Sequence, residues 1–355
     1  MMRPNRARRF LFQVRNRRGL GHMMRGLNIA RELRALDPAA EILFYLRTPP
    51  SAGFWNTDFR YVVERDPDGL ASWPEVLQQF GPDVVVYDTM LPKDASAEPL
   101  AESARYVYIM RKCLEEKQRQ VFANPFLDRM AAILVPHVPE QFGYALPERI
   151  RDRTAYVGPI VRLPEAQTQS ALRAKYGIGD GDFVLTSTVG GGGFEAQADV
   201  FFDTVFEVHR RIAGRLPHLR HLVIQGPNYA KTLAPLPGMT VIAFEAEMVN
   251  LLAASDLVIA EGGYNTVNEI RVTRTPAIFL PSVRGNDDQE ERVRALAQRG
   301  LGFVFAPGAA AAIAEQVLDL AASPATLAAI RRRYGEDRAV LGNRAAAQRI
   351  LDLVP

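Results

Sequence analysis

Apolar residues along the chain fall into short continuous runs, and between these runs they recur every three or four positions. The continuous runs predict buried parallel strands, and the spaced pattern predicts amphipathic helices. Because the two patterns alternate, the sequence predicts an α/β protein built on parallel sheets. The strands predicted in the first half are residues 10–14, 41–46, 61–63, 83–88, 106–110 and 133–135.

A polar, proline-containing stretch at residues 156–169 interrupts the alternation, and the pattern restarts after it. Such a stretch predicts a linker, so we expect two Rossmann-like domains that face a cleft. The domains are expected at residues 1–160 and 161–340, with residues 341–355 as a helix that packs back on the first domain. The strands predicted in the second domain are residues 183–189, 221–225, 240–244, 257–260 and 277–280. The predicted helices are residues 23–36, 74–80, 199–215, 289–299, 309–320, 324–333 and 345–353.

The composition is typical of a globular protein, since 48% of the 355 residues are hydrophobic and 23% are charged. No stretch approaches the roughly 18 apolar residues of a membrane-spanning helix. The single cysteine, Cys113, excludes an internal disulfide and a cysteine-based metal cluster. His209 and His221 are interpreted as a helix-face residue and a strand residue, without the spacing of metal ligands. We therefore expect a cytoplasmic protein that uses neither a metal nor another cofactor.

Positive charge is concentrated near the start of the chain, because the first 34 residues contain ten arginines and a single acid. For Arg15, Arg17, Arg18 and Arg25 this pattern indicates a patch for anionic lipid or for substrate phosphates. The arginines before them are interpreted as a solvated terminus. No basic stripe interleaved with aromatic residues is present, so nucleic acid is not an expected partner.

The most informative motif is Glu-Gly-Gly-Tyr-Asn-Thr-Val-Asn-Glu at residues 261–269, directly after the predicted strand 257–260. A glycine pair between a strand and a helix lets a ligand reach the backbone. The helix N-terminus adds N–H groups and a partial positive charge. Gly262 and Gly263 therefore predict a phosphate-binding turn. Glu269, one to two turns into the helix, is placed for contact with a ribose diol.

A second glycine-rich turn, Gly-Leu-Gly-His at residues 19–22, lies between the first predicted strand and the first helix. Open α/β sheets bind ligands at the carboxyl ends of their strands, so His22 is a candidate general base. The alternative is a histidine that hydrogen-bonds only its own loop. Met24 stands where a dinucleotide fingerprint needs Gly or Ala, which argues against NAD here. Asp88, after the valine-rich strand, is predicted to orient His22 or an acceptor hydroxyl, or to cap a turn.

Three further loops follow predicted strands of the second half. Gly-Gly-Gly-Gly-Phe-Glu-Ala at residues 190–196 either gives backbone access to a phosphate or sugar, or forms a flexible turn. The loop at residues 244–248 either holds a base through backbone groups or is a solvated acidic turn. Asp288 and Gln289 begin a predicted helix, where they either cap the helix or bind sugar hydroxyls.

The pattern Gly-x-Gly-His-x-x-Arg at residues 19–25 and Gly-Tyr-Asn-Thr-Val-x-Glu at residues 263–269 resemble bacterial glycosyltransferases of the GT-B fold, in the family 28 group. The enzyme that adds N-acetylglucosamine to the lipid-linked peptidoglycan precursor is a more distant relative of that group. The resemblance implies that the second domain binds a nucleotide diphosphate sugar, commonly UDP-linked, and that the first binds the acceptor. It also implies Glu269 on the ribose, Gln289 on the donor sugar and His22 near the reacting centre.

The donor half departs from the family pattern at two places. Arg292 stands where the family often has an asparagine, three residues after the donor-sugar glutamine. The base-binding loop around Phe244 and Met248 matches only loosely. The resemblance assigns both of these positions to recognition of the donor, one to the sugar and the other to the base.

These features predict a metal-independent, inverting glycosyltransferase of the hexosyltransferase class. Its expected donor is a UDP-sugar, and its acceptor is a hydroxyl on a lipid-linked or cell-envelope molecule. Beside a cytoplasmic location, peripheral contact with the inner membrane face is compatible with Phe54 and Trp55 in a loop suited to lipid or acceptor. The predicted catalytic residues are His22 and Asp88, with acceptor or phosphate contacts at Gly19, Gly21 and Arg25. The predicted donor contacts are Gly191, Gly192, Phe244, Met248, Gly262, Gly263, Asn265, Thr266, Glu269, Asp288 and Gln289.

Three other functions are compatible with the same motifs. UDP-sugar hydrolases of the pseudaminic acid pathway share a Gly-x-Gly-His-x-Met-Arg opening, which Met24 and Arg25 match, and they release nucleotide without an acceptor. A non-catalytic nucleotide-sugar-binding protein would bind UDP tightly without turnover. The hypothesis of a nicotinamide-dependent oxidoreductase rests only on residues 191–196 and is the weakest of the three.

Overall fold

The chain folds into two compact units, residues 1–161 with 340–355 and residues 162–339. The computed structural model describes residues 6–14, 20–50, 55, 57–64, 72–88, 90–92, 94, 96–285, 287–337 and 340–354. Outside these residues lie the predicted contact of Gly19, the predicted loop position Phe54 and the basic patch at Arg15, Arg17 and Arg18.

Parallel strands form one sheet in each unit, which confirms the predicted α/β class. The strands described in the first unit are β1 (Arg9–Val14), β2 (Glu41–Leu46), β3 (Arg60–Val63), β4 (Val84–Asp88), β5 (Arg105–Ile109), β6 (Ala132–Val135) and β7 (Thr154–Tyr156). Those of the second unit are β8 (Phe183–Thr188), β9 (Leu219–Ile224), β10 (Met239–Ile242), β11 (Leu257–Ala260), β12 (Ala277–Phe279) and β13 (Phe303–Val304).

Helices lie between most pairs of successive strands. Those described in the first unit are α1 (Gly21–Leu36), α2 (Trp73–Phe80), α3 (Glu115–Ala123), α4 (Pro139–Phe142) and α5 (Glu148–Arg151), with a 3-10 helix at Pro125–Arg129. Those of the second unit are α6 (Ala166–Lys175), α7 (Glu195–Ile212), α8 (Met248–Ala253), α9 (Tyr264–Thr273), α10 (Gln289–Gln298), α11 (Ala310–Ala321) and α12 (Pro324–Glu336). The last helix, α13 (Asn343–Leu351), belongs to the first unit, where it packs against α1.

Both sheets have the strand order of a doubly wound fold. The first sheet runs β3-β2-β1-β4-β5-β6-β7, and the second runs β10-β9-β8-β11-β12-β13. The strand order reverses between β1 and β4 in the first sheet and between β8 and β11 in the second. Ligands of such sheets bind outside the carboxyl ends of the strands at this switch point. Each unit therefore has one place where its functional side chains are expected.

The helix that carries His22 is held tightly on the first sheet. Every residue of β4 is buried, as expected for a central parallel strand. Phe12 of β1 stacks on Phe44 of β2 with ring centroids 5.0 Å apart. A Cβ atom on Gly26 of α1 would lie only 3.1 Å from Phe44 Cε1, so the missing side chain lets the helix approach these rings. This packing fixes the position of the first turn of α1.

The C-terminal segment holds residues 157–161 in place. Asn343 accepts a hydrogen bond from Val161 N at 2.9 Å and donates one to Val161 O at 2.8 Å. Gly158 and Gly342 cross so closely that a Cβ atom on Gly342 would lie 2.4 Å from Gly158 O. Gly158 also has a φ of 84°, which favours glycine. Both glycines are thus required by one crossing of two backbone segments.

The prediction of a linker at residues 156–169 is wrong at both ends. Tyr156 is the last residue of β7, and α6 begins at Ala166. The boundary between the two units falls at residues 161 and 162, inside that stretch. β7 was missed because it is short and half-buried, so its three residues carry no run of apolar side chains.

Two histidines of the second unit form a buried hydrogen-bonded chain. His209 lies on α7 and His221 lies in β9, with their Nδ1 atoms 3.0 Å apart. His221 Nε2 lies 2.8 Å from Ser187 Oγ, and His209 Nε2 lies 3.0 Å from Pro237 O. Burial lowers the pKa of His221 to about 3 and also lowers the pKa of His209, so both rings are neutral near pH 7. The pair satisfies polar groups inside the unit.

Candidate active site

His22, Arg25 and Asp88 meet at the switch point of the first unit. α1 begins at Gly21 and carries His22 and Arg25 three residues apart on one face, while β4 ends at Asp88. Arg25 donates to both carboxylate oxygens of Asp88, from Nη2 to Oδ1 at 2.6 Å and from Nε to Oδ2 at 3.1 Å. His22 Nδ1 lies 3.4 Å from Asp88 Oδ1 and 3.3 Å from Arg25 Nη2. The structure therefore brings the two predicted catalytic residues together.

The Asp88 carboxyl is held in its ionised form. Burial by itself would raise its pKa, but the charge of Arg25 and the contact with His22 hold the pKa well below its ordinary range. Asp88 is 2% exposed, whereas the His22 side chain is 26% exposed. A buried, ionised carboxylate of this kind can orient an imidazole, and the imidazole keeps the solvent contact that a base needs.

Arg25 is buried rather than part of a surface patch. Only 1% of the residue is exposed, and its guanidinium makes the two bonds to Asp88. A phosphate bound by Arg25 would have to compete with this bidentate pair. Arg25 instead holds the start of α1 against the end of β4. Gly21, the other described residue of the predicted acceptor contacts, is the first residue of α1.

Two glycine-rich turns lie side by side at the switch point of the second unit. Residues 190–193 follow β8 and lead to α7, and residues 262–263 join β11 to α9. Thr266 Oγ1 lies 3.5 Å from the position of a Cβ atom on Gly190 and 3.9 Å from that on Gly263. Both turns therefore present backbone to the same small region at the start of α9.

The turn at residues 190–193 rests on the loop after β9 through backbone contacts. Asn228 N donates to Gly191 O at 3.0 Å. A Cβ atom on Gly226 would lie 2.3 Å from Gly190 O, and one on Gly192 would lie 2.8 Å from Gln225 O. Contacts this close leave room for glycine alone, and they favour a packed turn over the flexible-turn alternative.

The N-terminus of α9 has the features of an anion site. Gly263 is its N-cap residue and provides no side-chain hydrogen bond to the first turn. The helix dipole and the N–H groups of that turn favour a negatively charged ligand. Gly262 is fixed by packing, since a Cβ atom there would lie 2.8 Å from Val293 Cγ1. Asn265 and Thr266, both predicted donor contacts, lie in this first turn.

Glu269 lies on α9 three residues beyond Thr266, on the same face of the helix. Burial raises the pKa of its carboxyl to about 7, and no hydrogen bond or charge from the described residues offsets that effect. The side chain remains partly exposed. Among the described residues this carboxylate has no hydrogen-bond partner, so it keeps acceptor capacity that the two hydroxyls of a ribose would fill.

Gln289 and Asp288 are engaged within the protein at the start of α10. The side-chain oxygen of Gln289 accepts hydrogen bonds from Gly262 N and Ser282 N, each at 3.1 Å. The residue is 5% exposed. Asp288 Oδ1 accepts from Glu291 N at 2.8 Å, so Asp288 caps the helix. In the described residues these side chains hold the Gly262 turn and the start of α10.

The loop at residues 244–248 is tied to α6 and to the segment before it. Lys175 Nζ lies 2.7 Å from Glu245 Oε2, and Arg162 Nη1 lies 2.8 Å from Glu247 Oε2. Glu245 is buried. The interpretation of this loop as a solvated acidic turn is therefore wrong, because both carboxylates pair with cations of other segments. The predicted base contacts at the two ends of the loop, both half-buried, are Phe244 and Met248.

Sequence reasoning missed the charged residues that surround the Gly262 turn. Arg284 pairs with Glu261, and their side chains are 10% and 5% exposed. Arg292 Nη1 donates to Gly262 O at 2.6 Å, and its Nη2 lies 2.6 Å from Asp287 Oδ1. The sequence marked Arg292 only as a departure from the family pattern and did not indicate these contacts. The pair of Glu261 and Arg284 is separated by 23 residues and has no periodic signal.

The fold of the chain is that of solved glycosyltransferase structures. The spinosyn forosaminyltransferase SpnP superimposes with a TM-score of 0.66, covering 98% of this chain and 99% of its own at 18% identity. MurG of Acinetobacter baumannii superimposes with a TM-score of 0.58, covering 97% and 99% at 15% identity. At these identities the likeness concerns the fold, and it confirms the predicted GT-B architecture of two parallel-sheet α/β domains.

Sequence comparison relates part of the chain to a known family. Residues 188–346 match the model of the glycosyltransferase family 28 C-terminal domain. A protein of Clavibacter michiganensis subsp. michiganensis is 28% identical over 94% of this chain and 93% of its own. It is named UDP-N-acetylglucosamine--N-acetylmuramyl-(pentapeptide) pyrophosphoryl-undecaprenol N-acetylglucosamine transferase. The protein is a glycosyltransferase of the GT-B fold, and its C-terminal part is similar to family 28. A protein of the same name from Geobacter sulfurreducens is 27% identical to this glycosyltransferase over 94% of both chains.

Two further properties of this glycosyltransferase concern metals and membranes. In the part of the chain that the structure describes, no group of three or more His, Cys, Asp or Glu residues is placed to hold a metal ion. No single helix of that part is long and apolar enough to span a membrane. Only α11 and α12 taken together, bent by 93°, satisfy the same test of length and composition.

Proposed function

We propose that this glycosyltransferase moves a sugar from a UDP-sugar to a hydroxyl acceptor, with inversion at the anomeric carbon. The second unit binds the donor, and the first unit binds the acceptor. The observation that carries the proposal is the pair of glycine turns at the start of α9, together with Glu269 one turn further along. The Glu269 carboxylate has no hydrogen-bond partner in the part of the chain that the structure describes. The names of the two relatives specify UDP-N-acetylglucosamine, which supports UDP as the carrier.

In this proposal the diphosphate lies at the N-terminus of α9. Backbone N–H groups of residues 263–266 and of the turn at residues 190–193 bind its oxygens, and the helix dipole favours their charge. Glu269 accepts hydrogen bonds from both ribose hydroxyls. Phe244 and Met248, at the ends of the loop after β10, contact the base.

The proposed reaction is a single displacement. His22 Nδ1 donates its hydrogen to the ionised Asp88 carboxylate, which leaves the lone pair on Nε2 available. Nε2 removes the proton of the acceptor hydroxyl, and the acceptor oxygen forms a bond to the anomeric carbon from the face opposite the diphosphate. The bond between the anomeric carbon and the diphosphate oxygen breaks, and its electron pair leaves with the nucleoside diphosphate. The configuration at the anomeric carbon is therefore inverted.

The proposed acceptor is supported by the names of the relatives rather than by a described pocket. Both relatives are named as acting on a pyrophosphoryl-undecaprenol molecule. We therefore propose an acceptor hydroxyl on a lipid-linked or cell-envelope molecule, with the protein at the cytoplasmic face of the membrane during the reaction. The same names are those of transferases, which favours transfer over the hydrolase alternative.

A panel of nucleotide sugars tests the proposed function. UDP-sugars are expected to raise the melting temperature, because a ligand at about 100 times its dissociation constant adds about 2.7 kcal/mol of stability. Release of UDP is then measured with and without a lipid extract of the cell envelope. Release that depends on the extract supports a transferase, and equally fast release without it identifies a hydrolase. If no nucleotide sugar is turned over under either condition, the proposed reaction is wrong.

Addition of EDTA is expected to leave at least half of the activity, because backbone N–H groups and the α9 dipole carry the leaving-group charge in this mechanism. The measurement is UDP release at saturating donor after dialysis against EDTA. A metal-dependent glycosyltransferase treated in parallel shows that the chelation was effective. Complete loss of activity, restored by magnesium or manganese, would contradict the mechanism.

A further inference from the structure

Arg284 links three segments at the switch point of the second unit. Its guanidinium carbon lies 3.9 Å from the centre of the Phe194 ring, and its Nη2 pairs with the carboxylate of Glu261. Phe194 follows the glycine turn after β8, Glu261 follows β11, and Arg284 lies in the loop after β12. Because β11 lies between β8 and β12 in the sheet, the Arg284 contacts extend across the end of β11.

Phe194 is the first side chain after four consecutive glycines. Residues 190–193 have no side chains of their own, so they are anchored through their backbone. Gly190 N donates to Thr188 Oγ1 at 3.0 Å, at the end of β8, and the turn also makes close contacts with the loop after β9. Phe194 is also the N-cap residue of α7 and is 36% exposed. Contacts of the Phe194 ring can therefore hold the end of the glycine turn that leads into α7.

The chemistry of the contact favours a fixed ring. A guanidinium stacked on an aromatic face is attracted by the ring quadrupole, and a planar guanidinium can do this while it also pairs with a carboxylate. Burial of Glu261 and Arg284 strengthens their interaction, since little solvent screens it. Arg284 is thus held in place by Glu261, and it in turn holds the ring of Phe194.

We propose that Arg284 is a positioning residue that fixes the glycine turn at residues 190–193 through Phe194, so that the turn can bind the donor diphosphate. The assignment rests on the proposed function, because it gives the turn a ligand. Arg284 itself does not touch the reacting atoms in this proposal. Arg284 sets the geometry of the backbone N–H groups of the turn, because the four glycines have no side chains that could do so.

The test compares Arg284→Ala, Arg284→Lys and Phe194→Leu with a matched control. Phe194→Leu keeps apolar bulk and the buried ion pair but removes the aromatic face, so it remains informative if Arg284→Ala fails to fold. Arg284→Lys keeps the charge and a weaker cation–π contact. The control is Arg294→Ala, which removes an exposed arginine that pairs with Glu290 on the surface of α10.

The first readout is hydrogen exchange of the amides at residues 190–194 in the unliganded protein. We expect at least tenfold faster exchange in Arg284→Ala and Phe194→Leu, an intermediate rate in Arg284→Lys, and no change in Arg294→Ala. The second readout is steady-state kinetics with a UDP-sugar, in which KM rises about tenfold and kcat changes less, as for loss of a binding contact shared by ground and transition states.

Unchanged exchange at residues 190–194 in both Arg284→Ala and Phe194→Leu would overturn the assignment. So would a KM effect that Arg284→Lys fails to reduce, since a purely steric role does not depend on charge. The exchange experiment needs no ligand. If the wild-type protein binds neither UDP nor inorganic pyrophosphate, the proposed function fails, and the exchange result still decides whether Arg284 holds the turn.

Discussion

Replacing His22 with alanine is expected to lower turnover by about 100-fold or more, the typical contribution of a general base. Among the described residues the polar contacts of His22 are made by Nδ1, which lies 3.4 Å from the buried, ionised Asp88. That arrangement leaves Nε2 for the acceptor proton. Because the proposed donor site lies in the second unit, UDP affinity should stay within about twofold of wild type, as measured by calorimetry.

The exposed His218 provides a matched control, and His218→Asn should leave both turnover and UDP affinity unchanged. Asparagine is chosen because His218 has a φ of 64°, which asparagine tolerates. Full activity of His22→Ala would place the base elsewhere. Asp88 would then be a poor substitute, because the Arg25 charge keeps its pKa low and a weakly basic carboxylate accepts protons inefficiently.

The strands of this fold could be predicted closely because burial on both faces leaves a plain signal in the sequence. β2 and β11 have the bounds predicted for them, residues 41–46 and 257–260. Elements without such a run were missed, as β7 shows. Its three residues are all half-buried at the edge of the sheet, where mixed side chains are tolerated. Edge position, rather than low β propensity, accounts for that error.

The residues of the candidate site likewise include some that the sequence predicted and others whose contacts it did not predict. Gly262 and Gly263 stand out because a strand, two glycines and a helix follow one another along the chain, and that local order is what builds the turn. The engagement of Gln289 could not be read from the sequence. The sequence does not show whether a polar residue at the start of a helix faces solvent or is bonded within the protein. Gln289 accepts hydrogen bonds from Gly262 N and Ser282 N.

Contacts between segments distant in sequence were also beyond prediction. Arg25 was interpreted as one of several basic residues, since an arginine cluster records charge but does not reveal burial. Its partner Asp88 is 63 residues away, and only the pairing of β1 with β4 brings the two together. Long-range ion pairs of this kind depend on the topology of the fold. The hydrophobic pattern predicts the fold class, but it does not predict the individual contacts.

Glu269→Gln is expected to weaken UDP binding while it stabilises the unliganded protein above pH 7. The carboxyl has a pKa raised to about 7 by burial, against an unfolded value near 4.3. The folded state therefore binds the proton more tightly than the unfolded state. Stability is lost as pH rises from about 4.5 to 7, and ionising the group costs about 1–3 kcal/mol above that range. Glutamine removes this cost, so thermal unfolding at pH 8 should occur at a higher temperature in the variant.

UDP binding should respond in the opposite direction, because a ribose diol donates to a carboxylate and charge-assisted bonds contribute about 1.5–3 kcal/mol. The variant is expected to lose at least about tenfold in affinity at pH 8, since each 1.4 kcal/mol is tenfold. Wild-type affinity should fall as pH drops below 7, where Glu269 takes up a proton and can accept fewer bonds. The variant should lack this pH dependence.

Two comparisons separate the ribose contact from a structural role for Glu269. Glu290→Gln, on the exposed face of α10, should change neither stability at pH 8 nor UDP affinity by more than about 0.5 kcal/mol. A 2′,3′-dideoxy uridine diphosphate has no diol, so wild type and Glu269→Gln should bind it almost equally. If the variant loses the same affinity for UDP and for the dideoxy nucleotide, Glu269 stabilises α9 rather than binding ribose. In that case the Glu269 carboxylate would no longer support the assignment of a nucleotide site at the start of this helix.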